Sequence, residues 1–221
     1  LVGSEMCIRD RYISDLVSWG AIGARTAESQ VHRELTSGLS CPVGIKNSTN
    51  GEYKPAIDAI KSAKYQHVFL GATKQGKVAI FKTSGNDDTH LILRGGKNPN
   101  YDKDSVHACV KCLSESNINS NIMVDFSHGN SQKNHENQAK VCSSICSQIA
   151  NGNKNIVGVM IESNLQAGNQ KISNQMEYGK SITDACVDFE ETKVFLENLS
   201  TAVQKRREIG SVSYTHLTLP T

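Results

Sequence analysis

Six short apolar runs, each ending in one charged or metal-binding side chain, constrain this chain more than any other feature. They are VSWGAIGAR, CPVGIK, HLILR, NIMVDFSH, NIVGVMIE and the weaker KSITD. They end at or near Arg25, Lys46, Arg94, His128, Glu162 and Asp184. Amphipathic helical patterns separate most of them. A parallel β/α barrel presents chemistry in this way, because its strands deliver functional side chains at their C-terminal ends. The order is informative too. Three cations suited to phosphate and carboxylate come first, and three residues suited to a divalent ion follow.

The 221 residues, 38% of them apolar, allow one large domain with a real core. A net charge of +2 and the lack of a basic stripe with interleaved aromatics argue against nucleic acid as a partner. No apolar stretch approaches the roughly 18 residues of a membrane span, so no membrane partner is expected. No signal or transit peptide pattern is present. The seven cysteines fall mostly inside predicted elements, which reads as reduced thiols of a cytoplasmic compartment. The two ends, LVGSEMCIRDR and SVSYTHLTLPT, fit no neighbouring pattern and resemble translated sequencing-adaptor stretches. Residues 1–11 and 211–221 are therefore set aside, leaving 12–210 as the folded part. On that reading Tyr12 is not the true start, and Cys7 and His216 carry no function.

The first strand is expected over 17–24. A helix follows over 27–36, capped by Thr26, stopped by Gly38, with Val31 and Leu35 on one face. Further strands are predicted at 41–46, 67–73, 121–126 and 155–161. Helices are predicted at 53–63, 102–116, 132–149 and 188–207. Residues 78–81 and 90–93 flank TSGNDDT and read as an inserted β-hairpin. The polar stretch 165–178 reads as a loop over the active face. The fold class is α/β, a (β/α)8 TIM barrel of which about the last five strands are present, since eight close such a barrel. The first three strands are expected to be missing.

Arg25 and Arg94 follow predicted strands, and Gly95-Gly96 lets an anion approach the backbone. An arginine offers phosphate or carboxylate a planar fork, and Lys46 adds a point charge. A solvated cation is the commoner reading of any one of them, but three at matching topological positions favour an anion site. His128, Glu162 and Asp184 form an N/O/O set suited to Mn2+, Fe2+, Co2+ or Zn2+, although no local spacing certifies it. Small polar neighbours in DFSHGNS suit a tight loop that supports His128. Cys109 and Cys112 make a lone CxxC on a helix, which argues against zinc. Cys142 and Cys146, four apart on a helix, read as small packing residues, as do Cys41 and Cys186.

The strings GARTAESQVHRELTSGLSCPVGIKNSTNG, ILRGGKNPNY, MVDFSHGNSQK, GVMIESNLQAGNQ and YGKSITDAC resemble the class I 3-deoxy-D-arabino-heptulosonate 7-phosphate (DAHP) synthases of the aromatic-feedback type. The resemblance runs from residue 15 to residue 207 and covers the C-terminal part of the family's chain. It implies a metal-dependent barrel enzyme at the first step of the shikimate pathway. That enzyme condenses phosphoenolpyruvate with D-erythrose 4-phosphate and water and releases phosphate. It implies that Arg25, Lys46 and Arg94 hold phosphoenolpyruvate, with the backbone of Ala24 against the same ligand. It implies His128, Glu162 and Asp184 as metal ligands. The family's fourth ligand is a cysteine in a GPCSIHD-type motif, and its catalytic lysine lies in a KPRT-type motif. Neither string occurs in this sequence. The chain as written is therefore expected to be inactive and, with open strand edges, poorly soluble. The resemblance further implies an aromatic amino acid effector bound near Ser40 and Gly71. The small residue at 71 resembles tyrosine-sensitive members. Full-length members are homodimers or homotetramers.

Three other readings compete. Another phosphoenolpyruvate–aldose synthase, such as ketodeoxyoctulosonate 8-phosphate synthase, is disfavoured by the long GARTAESQVHREL and SITDAC matches. An inactive pseudoenzyme or degenerate regulatory paralogue is disfavoured by retention of all six strand-end residues. An unrelated metal- and phosphate-binding barrel is the third.

Overall fold

The computed structural model describes residues 16–73 and 75–215, with side chains described to residue 209. Cys7, Tyr12, His216 and the stretch 1–11 lie outside the described residues. In chain order the elements are β1 (Gly20–Ile22), α1 (Gln30–Gly38), β2 (Val43–Lys46), α2 (Lys54–Ala63), β3 (Val68–Ala72), β4 (Val78–Lys82), β5 (Thr89–Leu93) and α3 (Lys103–Glu115). There follow β6 (Ile122–Asp125), a 3-10 turn (His135–Asn137), α4 (Gln138–Ala150), β7 (Ile156–Met160), β8 (Gln166–Asn169), β9 (Lys180–Ser181) and α5 (Phe189–Thr215).

One five-stranded sheet, ordered β1-β2-β5-β6-β7, is parallel throughout. Its central strands are buried on both faces, which explains why they read as continuous apolar runs. Ile45, Leu91, Leu93, Ile122, Val124 and Ile156 join one core cluster with the apolar stripes of the helices. On α3 that stripe is Val106, Cys109 and Leu113; on α4 it is Cys142, Ile145 and Ile149. Local chemistry sets the helix starts. The Asp102 carboxylate accepts from the backbone N–H groups of Asp104 and Ser105 to cap α3, and Pro55 sits in the first turn of α2.

Several expectations are corrected. The β-hairpin exists, but it pairs β3 with β4 rather than 78–81 with 90–93. Leu91, Ile92 and Leu93 are fully buried and need cover on both sides, so they occupy the centre of the parallel sheet. Strands β3 and β4 alternate exposed and half-buried residues, the period of a one-sided ribbon. The Gly76 N–H donates to the Thr73 carbonyl between the two strands, and Gly76 has φ +74°. TSGNDDT is no turn tip. Asn86 is buried and donates to the carbonyls of Thr36 and Cys41, pinning this stretch to the α1–β2 corner. The KSITD run gives only the two-residue β9, paired with β8 outside the main sheet. The segment expected to be wholly irregular thus holds a short ribbon. Thr26 does not cap α1; its hydroxyl donates to the Gly23 carbonyl, and Gly38 is the last residue of the helix rather than the residue beyond it. Helix α4 starts later than expected because Gln132 and Lys133 both have positive φ.

Candidate active site at the strand ends

Side chains alternate along a strand, so in-register partners point to the same face. Gly44 pairs with His90, Lys46 with Ile92, Ile92 with Met123, and Asp125 with Met160. This face is opposite the one packed on the helices, and it carries Lys46 and Asp125 at the C-terminal ends of β2 and β6. Continuing the alternation by two residues from Ile92 and Met160 brings Arg94 and Glu162 to the same rim.

Asp125 is the hub. It is fully buried, and its Oδ2 lies 2.8 Å from Lys46 Nζ and 2.9 Å from His128 Nδ1. The Ser127 N–H donates to its Oδ1 at 2.9 Å. Burial opposes ionisation of Asp125, yet the His128 contact and the Lys46 charge outweigh it and hold the carboxyl below its usual range. His128 Nδ1 is buried and finds no other polar partner among the described residues, so the Asp125 carboxylate sets the orientation of the ring. Glu162 is held from three sides. Ser127 Oγ donates to its Oε2 at 2.6 Å, while Gln138 accepts from its backbone N–H and donates to its carbonyl.

Beneath these side chains the strand-end loops are fused by asparagines and glycines. Asn47 accepts from the Arg94 N–H and donates to the Gly95 carbonyl. Asn100 accepts from the Gly95 N–H, and Asn130 accepts from the Asn100 N–H. Asn130 also donates to the carbonyls of Leu93 and Asp125. All three asparagines are buried with their hydrogen bonds satisfied. Gly95 has φ +73°, and a Cβ there would lie 2.5 Å from the Asn130 nitrogen. A Cβ on Gly96 would lie 2.5 Å from Gly51 Cα, so three loops touch backbone to backbone.

His128, Glu162 and Asp184 converge. One ligand atom from each lies within 4.8 Å of the others. His128 Nε2 is 3.6 Å from Glu162 Oε1, too long for a strong hydrogen bond, while Nδ1 faces Asp125. A histidine that turns one nitrogen to a carboxylate and leaves the other toward two acidic side chains has the donor arrangement of a metal ligand. Metal–ligand bonds of about 2.1 Å put neighbouring donors about 3 Å apart, so the three side chains fit an ion after closing by about 1–2 Å.

The chain matches the DAHP synthetase I family over residues 2–197. It belongs to that family. It is 54% identical over 202 residues to the Phe-sensitive phospho-2-dehydro-3-deoxyheptonate aldolase of Escherichia coli K12 and 50% identical over 201 residues to the Trp-sensitive one. A putative phospho-2-dehydro-3-deoxyheptonate aldolase of Schizosaccharomyces pombe is 54% identical over 213 residues. These alignments cover 90–93% of this chain and 58% of each relative, so the chain spans well under two thirds of their length. The solved aldolase of Francisella tularensis SCHU S4 superposes with a TM-score of 0.87 at 54% identity, covering 90% of this chain and 59% of that one.

The span matched to the DAHP synthetase I family includes every candidate residue named from sequence. Arg94 is half-buried, and Arg25 is exposed at the end of β1 beside Ala24. Burial pushes the Arg94 guanidinium down; Asp125, Asp184 and Glu162 oppose this, and the Arg25 charge adds to it. Arg25 and the three acids are thus close enough to Arg94 to act on it. Ser40 is exposed in the α1–β2 loop, and Gly71 lies in β3. The hairpin is tied to the end of α1, because Ser37 Oγ lies 2.6 Å from both Thr83 Oγ1 and the Tyr65 carbonyl. Sequence reading missed Asp125, Ser127, Gln138 and the three asparagines. The visible signal was an aspartate inside an apolar strand, three residues before His128.

Proposed function

We propose that the full-length protein to which this chain belongs condenses phosphoenolpyruvate with D-erythrose 4-phosphate and water, giving DAHP and phosphate. The observation that supports this reading is that Arg25, Lys46 and Arg94 gather near the cluster of His128, Glu162 and Asp184 at the C-terminal ends of the parallel strands. The barrel is part of the proposal. The strand order rises with sequence and never reverses, unlike that of a doubly wound sheet.

In this reading Arg25, Lys46 and Arg94 bind the phosphate and carboxylate of phosphoenolpyruvate, with the backbone at Ala24 against the same ligand. Lys46 exchanges its pairing with Asp125 for the incoming anion, and Asp125 keeps its hold on His128. His128, Glu162 and Asp184 hold a divalent ion, Mn2+, Fe2+, Co2+ or Zn2+. When bound, such an ion supplies Lewis acidity toward an aldehyde oxygen. The arginines stabilise charge on the phosphate-bearing carbon skeleton as the new bond forms. The relatives are named Phe- and Trp-sensitive, which supports an aromatic amino acid effector. Ser40 and Gly71 belong to its site, and the glycine favours tyrosine. A homodimer or homotetramer in the cytoplasm is the working assembly.

The 221-residue chain alone is inactive in this reading, since the GPCSIHD-type and KPRT-type strings do not occur in it. Loss of phosphoenolpyruvate absorbance is the test. The full-length protein is expected to turn over with erythrose 4-phosphate and metal, and the 221-residue chain is not. Turnover by the short chain contradicts its inactivity, and preference of the full-length protein for another aldose contradicts the substrate assignment.

A further inference from the structure

Away from the strand ends, α4 and α5 enclose a groove of about 530 Å³. Cys142 and Cys146, one turn apart on α4, line it with their Sγ atoms 3.8 Å apart. Ala139, Val194, Phe195 and Ala202 contribute apolar wall. We propose that this pair is a dithiol chelation site for a monosubstituted trivalent arsenical, with the organic substituent seated against the apolar walls.

The chemistry balances without an oxidant. An R–As=O group exchanges its oxygen for two As–S bonds. The oxygen leaves as water with both thiol protons, and arsenic stays trivalent. Pyramidal arsenic bonds two sulfurs at nearly right angles, so it needs them side by side, as they are here. A linear two-coordinate ion needs them on opposite sides. The thiols also select the ligand class. Burial, then the neighbouring Cys146, pushes the Cys142 thiol up to about 12, and burial raises Cys146 as well. A dication requires two thiolates and must expel two protons, which these thiols resist. The arsenical exchange releases no net proton. Cys142 itself is 1% exposed, whereas Cys146 is only partly buried, so arsenic attaches first at Cys146 and closes onto Cys142. Cys109 and Cys112 on α3 are the internal control: Cys109 is fully buried in the core and neither lines this groove.

The test uses phenylarsine oxide on the full-length protein to which this chain belongs. Native mass spectrometry and thiol titration are the readouts. The expected result is one phenylarsenic group per chain with two thiols lost, reversed by a small dithiol but not by an equal concentration of monothiol. Cys146→Ser, and separately the packing-conservative Cys142→Ala, are expected to lower affinity at least tenfold. The Cys109→Ala/Cys112→Ser double variant is expected to bind like the parent. A chain with native-like circular dichroism that takes up no arsenical overturns the proposal. So does an adduct that survives both groove variants or disappears with the α3 pair.

Discussion

The middle of the strand-end site and its outer rim are built by different means. At the middle, Asn47, Asn100, Asp125, Ser127 and Asn130 are buried, and their polar atoms are tied to neighbouring loops. Glycine backbones touch there with no room for a side chain. At the rim, Asp184 is exposed at the end of a mostly exposed segment, 164–184, whose order comes from a short ribbon and from Gln170. The two sides of the ligand set therefore differ in preorganisation. His128 and Glu162 are held by Asp125, Ser127 and Gln138, whereas Asp184, the third member of the proposed ligand set, sits on an exposed segment with fewer ties. This division suits a site that must admit its ligands and then close on them.

The largest effect that tests the contrast is expected from glycine substitution. Gly95→Ala puts a methyl group against backbone at positive φ, and its cost is expected to be about 3–5 kcal/mol. Gly168 in the rim also has positive φ, but a Cβ there would meet only the end of the Lys180 side chain, at 3.8 Å. Gly168→Ala is expected to cost about 1 kcal/mol. Urea unfolding midpoints with unchanged slopes measure both. Equal costs would erase the distinction between middle and rim.

Carboxylates come next. Asp125→Ala leaves Lys46 and His128 without their shared partner and is expected to cost about 3 kcal/mol. Asp184→Ala is expected to stay within about 0.5 kcal/mol, because the residue is exposed. The pH dependence has a definite sign. The folded-state pKa of Asp125 is depressed, so its contribution is complete above the unfolded carboxylate value near ~4. It is lost as pH falls through the folded value. Stability of the parent chain should drop on acidification, and Asp125→Asn should flatten that limb. An unchanged acid limb in Asp125→Asn would mean that other carboxylates carry it.

The same contrast explains what could be read from the sequence. The strand-end positions of Lys46, Arg94, His128 and Glu162 can be read from the sequence because a strand announces itself by its apolar run, and the polar residue at its end stands out. Asp125 stood in the same run and was hidden, since nothing local tells a buried hub from a stray polar residue. The asparagine framework was illegible for a different reason. Asn47, Asn100 and Asn130 are 30 or more residues apart, and their meaning arises only when parallel strands align their ends. The hairpin partners were misassigned because 90–93 and 78–81 are both short apolar runs. Only burial on both faces separates a central strand from a ribbon, and burial is a property of the assembled sheet. Asp184 ends the weakest of the six apolar runs, KSITD, and that weakness fits its position off the main sheet.

The smallest expected effect is the most discriminating. Gln170 donates to the carbonyls of Glu177 and Lys180 and accepts from the Glu177 N–H, so one half-buried side chain closes the segment that presents Asp184. Gln170→Ala removes all three bonds. If the rim is a separate, weakly ordered unit, the global unfolding midpoint should move by no more than about 0.5 kcal/mol. Amide hydrogen exchange over 166–181 should then quicken several-fold, while exchange over β5 and β6 stays as slow as in the parent. Co2+ binding, followed by its visible absorption, should weaken only by the factor that the extra rim freedom implies. A global loss of more than about 1 kcal/mol, with exchange quickening in β5 and β6 as well, would place the rim inside the same cooperative unit as the middle. Asp184 would then be as preorganised as His128, and the site would have no adjustable side.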